Sequence, residues 1–273
     1  MSKQFLLASV GVIAMTGSAF AADLAPLPPP VPVFTWSGVY LGGQIGYAWG
    51  KDNVSWSGTA NDLDLAGGSF GEGPQGVIGG AHLGYNIQPN SWFVAGIEAT
   101  VDGTSLRKSV AVPLADFVGD TFGSMTASSN AGVQGSVRGR LGIAFDRLLL
   151  YGTGGVAVTS FNTNYVDTAG FFTGVPGTNA AISNTRAGFT VGGGIEYAVT
   201  DNWSVQAEYR YSNFGHTSDY PFANLNNNVL PAGGYFIAQH HLTESQVQVG
   251  FSYRFDWTAP PPPPPAVPVV AKY

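Results

Sequence analysis

Three histidines and two tyrosines, His216, Tyr220, Tyr235, His240 and His241, fall within one stretch of the chain, and both residue types can ligate haem iron. His240 and His241 are consecutive, so on a strand they point apart and cannot easily share one metal. The simpler reading is a polar loop that meets sugar and water. The fourth histidine, His82, has no serine at the spacing a nucleophile and its base require, and it reads as structural. Cysteine is absent, which excludes disulfides, thiolate metal sites, iron–sulfur clusters and a cysteine nucleophile. The string GEGPQG at 71–76 matches a dinucleotide fingerprint, but an alternating strand follows it where a helix is required. Asp62, Asp64 and Glu72, then Asp116 and Asp120, make acidic clusters without calcium-loop spacing. No metal, cofactor or enzymatic activity is expected from these patterns. What remains is a set of charges, Glu98, Arg138, Arg140, Glu208 and Arg210, whose meaning depends on the elements that carry them.

Composition narrows those elements. Charged residues make up 10% of the 273, against roughly 25% in an average soluble protein. Something other than water is expected to cover such a surface. Lys+Arg number 11 against 17 Asp+Glu, a formal charge of −6 that argues against a nucleic-acid partner. Lys3, the apolar run Phe5–Met15 and Ala19-Phe20-Ala21 read as a signal peptide over 1–21, cleaved before Ala22. Its apolar run is too short to cross ~30 Å of hydrocarbon. Prolines concentrate between Pro26 and Pro32 and again between Pro260 and Pro268. Both stretches favour an extended polyproline conformation. The expected divisions are therefore a leader over 22–35, a folded body over 36–255 and a tail over 256–273. A leader extended at roughly 3.1 Å per residue reaches on the order of 40 Å.

The body alternates with a period of two. Leu41, Ile45, Tyr47 and Trp49 oppose Tyr40, Gln44 and Ala48; Ile97 and Val101 oppose Glu98 and Asp102; Val137 and Leu141 oppose Arg138 and Arg140. Val205 and Tyr209 oppose Glu208 and Arg210, and Val249 and Phe251 oppose Gln248 and Ser252. Eight such segments are found; in Leu148–Val158 the facing stays ambiguous. Short turns at 88–91, 146–147 and 200–202 alternate with long polar segments at 51–75, 103–131, 160–185 and 214–243. This pattern predicts an all-β fold: an eight-stranded antiparallel transmembrane β-barrel with four long extracellular loops and short periplasmic turns. Trp36, Tyr85, Trp92, Phe145, Tyr197, Trp203, Phe255 and Trp257 are expected to mark one membrane rim, and Tyr47, Trp49, Tyr211 and Phe214 the other. The five charges then form a luminal network, with Glu98 expected to pair with Arg138 or Arg140. A filled eight-stranded lumen leaves no diffusion pathway.

With AADLAPLPPPVPVFTWSGVYLGGQIGYAWG at its start and VQVGFSYRF in its last strand, the chain resembles the small alphaproteobacterial outer-membrane barrels called outer-membrane immunogenic proteins, grouped under a porin-family heading. The resemblance implies a surface antigen integral to the outer membrane of a Gram-negative bacterium, with both termini periplasmic. It implies outer-membrane lipid, lipopolysaccharide and the barrel assembly machinery as partners, the last reading Tyr253 and Phe255. Such proteins typically end on that phenylalanine, whereas Asp256–Tyr273 follow here. A mature Ala22-Asp23 start implies covalent linkage to peptidoglycan. The expected function is structural support of the envelope. The alternative is a porin-like barrel for haem or a small solute, since the family includes hemin-binding members.

Overall fold

The computed structural model describes residues 34–60, 63–115, 121–168, 176–221 and 235–255. They form β1 (Gly38–Ala60), β2 (Leu63–Glu72), β3 (Gln75–Ile87), β4 (Phe93–Thr104), β5 (Arg107–Ala115), β6 (Thr121–Phe145), β7 (Leu148–Asp167), β8 (Thr178–Ala198), β9 (Trp203–Asp219) and β10 (Tyr235–Phe255). Eight of these close a ring in the order β1-β3-β4-β6-β7-β8-β9-β10. Closure comes from β1, which pairs antiparallel with β3 on one side and with β10 on the other. A closed ring satisfies its backbone groups internally, the condition for a sheet to cross hydrocarbon.

The barrel is apolar outside and polar inside. Ile45, Leu141 and Val249 are 60%, 61% and 55% exposed, while Arg138 and Arg140 are each 1% exposed. A water-soluble barrel would have the reverse pattern. In β7 the ambiguity resolves: Leu149, Tyr151, Thr153 and Ala157 point inward, Leu148, Leu150, Val156 and Val158 outward. Trp92, Phe145, Tyr197, Trp203 and Phe255 are exposed at the short-turn end, and Tyr47 and Trp49 at the other.

Two of the expected rim residues are corrected. Trp36 and Phe214 are buried inside the barrel at 3% exposure each. Phe214 shares the inward parity of Arg210 and Ser212, and Trp36 that of Tyr40. Trp36 closes the short-turn mouth, where its indole Nε1 donates to the Asp146 carbonyl at 3.1 Å and its backbone N donates to Gln88 Oε1 at 2.7 Å. Asp146 holds a left-handed backbone (φ 53°) in the two-residue turn between β6 and β7. Trp257 lies outside the described residues.

The long polar segments are also corrected, because strand continues through much of them. Beyond the second aromatic rim β3 and β4 stop, and β2 and β5 carry on the wall by pairing with β1 and β6. Among the described residues no pairing joins β2 to β5. Alternation persists here with Val54, Trp56, Met125 and Ala127 inward. Serine and asparagine recur at the outward positions, beside Lys51, Arg107 and Ala111, so the amphipathic contrast of the membrane zone is lost.

The interior is stratified, as the inward residues of β6 illustrate. Ala144 belongs to an apolar layer with Trp36, Val94 and Leu149. Arg140, Arg138, Ser136 and Gln134 make a polar stretch. Ala131 joins Ile78, Phe161, Phe214 and Leu242 in a second apolar layer. Ala127 and Met125 belong to a third with Trp56 and Val112. Close packing inside this narrow tube demands glycine at particular points. A Cβ on Gly84 would lie 2.2 Å from Tyr40 Cζ and 2.3 Å from its oxygen. Gly84→Ala is expected to cost about 1–3 kcal/mol as an overpacked core, read as a lower urea midpoint. An unchanged midpoint would show that Tyr40 moves aside freely.

Candidate functional site: the luminal charge layer

Arg138 and Arg140 are two residues apart on β6, so both enter the lumen. Glu98 of β4 is the direct cross-strand partner of Arg138. Arg138 places Nη2 on Glu98 and Nη1 on Glu208 of β9, bridging opposite walls. Arg140 pairs with Glu196 of β8 and stands 3.8 Å from Glu98. Arg210 Nε is 3.0 Å from Glu208, and its Nη1 is 3.8 Å from Asp102. Neutral groups add hydrogen bonds to the layer. Tyr40 Oη donates to Glu98 at 2.9 Å, Tyr151 Oη donates to Glu208 at 3.2 Å, and Gln44 Nε2 donates to Asp102 at 2.7 Å. The Arg140 guanidinium lies 3.7 Å above the Tyr151 ring centroid, a stabilising cation–π geometry.

Desolvating each of these ions costs several kcal/mol, and only close pairing with full hydrogen bonding offsets that cost. Arginine suits the task because its planar fork serves two carboxylates at once. The void left beside His82, Glu98, Arg138 and Glu208 is about 10 Å³, room for about one water. His82 itself is held between Gln44 and Ser252, with Nε2 2.8 Å from the serine hydroxyl. Chemically the layer cross-links the walls and fills the bore.

A second polar layer lies between the two outer apolar layers. His240 Nδ1 is 2.8 Å from Asp52, and its Nε2 is 2.8 Å from Tyr165 Oη and 3.5 Å from Asp219. Arg186 Nη1 is 4.0 Å from Asp52, and the guanidinium stacks over Phe161 at 4.6 Å. The haem-ligand set therefore does not converge. His240 is buried in the lumen, while His216 and His241 stack on each other on the outer face with ring centroids 4.3 Å apart. Strand alternation separates the neighbours His240 and His241. Tyr220 is exposed, and Tyr235 begins β10. Among the described residues no group of three or more histidine and carboxylate side chains could hold a metal ion.

Tyr253 and Phe255 lie in the last turn of register between β10 and β1, opposite Leu41 and Val39. Tyr253 packs edge-on against both Trp203 and Phe255, each with ring centroids at 5.1 Å. Ala22, Asp23 and the 256–273 tail lie outside the described residues. Glu196, Asp102, Tyr40 and Tyr151 belong to the charge layer but were not singled out from sequence. Strand parity is the available signal for Glu196, Asp102 and Tyr40, which share the face opposite the apolar one on their strands; Tyr151 lies in the strand whose facing the sequence leaves ambiguous.

Comparison with known proteins gives the family and its relatives. The family described as "Outer membrane protein beta-barrel domain" matches residues 6–255. The 31 kDa outer-membrane immunogenic protein of Brucella melitensis biotype 1 is 32% identical over 263 residues, covering 93% of this chain and 100% of that protein. The 22 kDa outer membrane protein of Rhizobium leguminosarum bv. viciae is 31% identical over 192 residues, 70% of each chain. The crystal structure of the outer membrane protein OprG from Pseudomonas aeruginosa aligns with 80% of this chain and 96% of its own, at 11% identity and a TM-score of 0.44.

Proposed function

The chain belongs to the outer membrane β-barrel family, and from that premise we propose that it is a sealed structural barrel that reinforces the envelope and conducts no solute. The observation that carries this reading is the filled lumen, in which paired charges alternate with three apolar layers from one mouth to the other. A transport barrel needs a continuous polar bore. Lipopolysaccharide and outer-membrane lipid are its surroundings in this reading, and the assembly machinery recognises the strand ending in Tyr253 and Phe255. The reading assigns no enzymatic activity. The leader provides a tether, with the Ala22 amine joined to a peptidoglycan stem peptide and Asp23 completing the linkage signal.

Two experiments test it. Cells lacking the chain are expected to shed more outer-membrane vesicles while taking up small solutes at an unchanged rate. Slower uptake with normal shedding would favour transport instead. Digestion of purified sacculi is expected to release a peptide that begins at Ala22 and carries a muropeptide. Recovery of free Ala22 amines alone would remove the covalent tether.

A further inference from the structure

One extra residue in β9 puts two histidines side by side on the outer wall. In the membrane part of β9 the inward residues are Arg210, Ser212 and Phe214, all buried, and the outward ones are Tyr209, Tyr211 and Asn213. Strict alternation would send His216 into the lumen behind Phe214. The pairing with β10 shifts at this point. Asn213 opposes Thr243 and His216 opposes His241, so Phe214 and Gly215 together face the single residue Leu242. That is a β-bulge, a device that re-aims the side chains beyond it. Gly215 takes a left-handed backbone there (φ 69°), and its backbone N donates to Asn213 Oδ1 at 2.9 Å. Past the bulge the parity is reversed, with His216 and Ser218 exposed and Asp219 buried.

The rings of His216 and His241 consequently lie face to face, 4.3 Å between centroids and 11° between planes. Among the described residues each ring has the other as its partner. A neutral imidazole keeps one ring nitrogen as an acceptor. Two such rings held on neighbouring strands make a chelating pair. At metal–nitrogen distances of 2.0–2.1 Å, two nitrogens on one ion stand roughly 3 Å apart. Rings stacked at this spacing reach that separation by tilting their outer edges together. The pair is also clear of hydrocarbon. His241 opposes Asn53, four residues beyond Trp49 of the aromatic rim, and the outward residues around it are Gln239, Thr243 and Ser218.

We propose that His216 and His241 bind a divalent copper, nickel or zinc ion through one imidazole nitrogen each, with water in the remaining positions. Imidazole suits these ions, and copper binds most tightly of the three in the Irving–Williams order. His240 takes no part, because it is buried on the other face of β10. The bound ion ties β9 to β10 above the membrane, and the bulge at Gly215 is what brings its two ligands onto one face. The site is independent of the sealed-lumen reading, since both ligands stand outside the bore.

The test uses the untagged mature chain in micelles at neutral pH, titrated with copper(II) and followed by electron paramagnetic resonance. The wild type is expected to take up one ion per chain with two nitrogen couplings in its spectrum. H216Q and H241Q are each expected to weaken that binding by about a hundredfold, the lower part of the gain from a second ligand held in place. The double variant H216Q/H241Q should match either single one, because a lone imidazole does not chelate. Binding by the wild type that both single variants retain would place the ion elsewhere and overturn the proposal. A wild-type spectrum without two nitrogen couplings would overturn it with no variant needed. Zinc is expected to compete for the bound copper at higher concentration; zinc bound with equal affinity by the wild type and the double variant would likewise overturn the site. Open channels in planar bilayers would refute the sealed lumen and leave this result standing.

Discussion

Replacing Arg138 with methionine is expected to destabilise the barrel by about 3–5 kcal/mol, the cost of breaking a buried ion pair from one side. Arg138 is the group that joins Glu98 on one wall to Glu208 on the other. Its removal leaves four carboxylates, Glu98, Asp102, Glu196 and Glu208, to share Arg140 and Arg210. Urea unfolding of the barrel in micelles or bilayers provides the readout. The double variant Arg138→Met with Glu98→Gln is expected to recover part of the loss, because one stranded charge is then neutral. A coupling of roughly 0.5–3 kcal/mol should emerge from the cycle. Strict additivity of the two substitutions would mean that the pair does not function as a unit.

Val249→Arg is expected to cost about 2–4 kcal/mol, the range for a cation on the lipid face near the bilayer midplane. Val249 pairs with Ile45 and Ala207, midway between the aromatic rims. Leu41→Arg should cost less, because Leu41 pairs with Tyr253 close to the periplasmic rim and a long side chain there can snorkel. The measurement is folding into lipid vesicles followed by denaturant titration. Near-normal folding of Val249→Arg would contradict the assignment of that face to lipid.

Both predictions depend on which face each residue occupies, and this was legible in the sequence wherever lipid lies on one side. Hydrocarbon demands uninterrupted apolar side chains at every second position, so Ile45, Val137 and Val249 marked the outer face. The same rule should have placed Trp36 and Phe214 inside. Their aromatic character alone points to a rim, although their parity is that of Tyr40 and Arg210. Beyond the membrane the rule fails for a physical reason. In the stretch from Lys51 to Gly58 the outward residues meet water, and the inward ones include Asp52 beside Val54 and Trp56. The outward parity is then polar and the inward one mixed, so the apolar outer face that marks a membrane strand is missing and a continuing strand reads as a loop. The charge network was half legible. Glu98 and Arg138 sit at matching depth on consecutive strands of the ring. Glu196 and Glu208 approach across the bore, and no short-range pattern in one sequence records which opposite strand an arginine will reach. Ring closure also decided the fate of the histidines, since His240 meets Asp52 only because β10 pairs with β1.

The sealed bore is the claim on which the functional reading stands, and single-channel recording in planar bilayers tests it most directly. Purified mature barrel, shown to be inserted by its resistance to protease, is expected to give no steady conductance across the usual range of applied voltage. The layer around Trp36, the Glu98–Arg138–Glu208 bridge and the layer around Phe214 each stand in the path of an ion. Large and stable open channels from the inserted wild-type barrel would contradict the sealed lumen and the structural role derived from it.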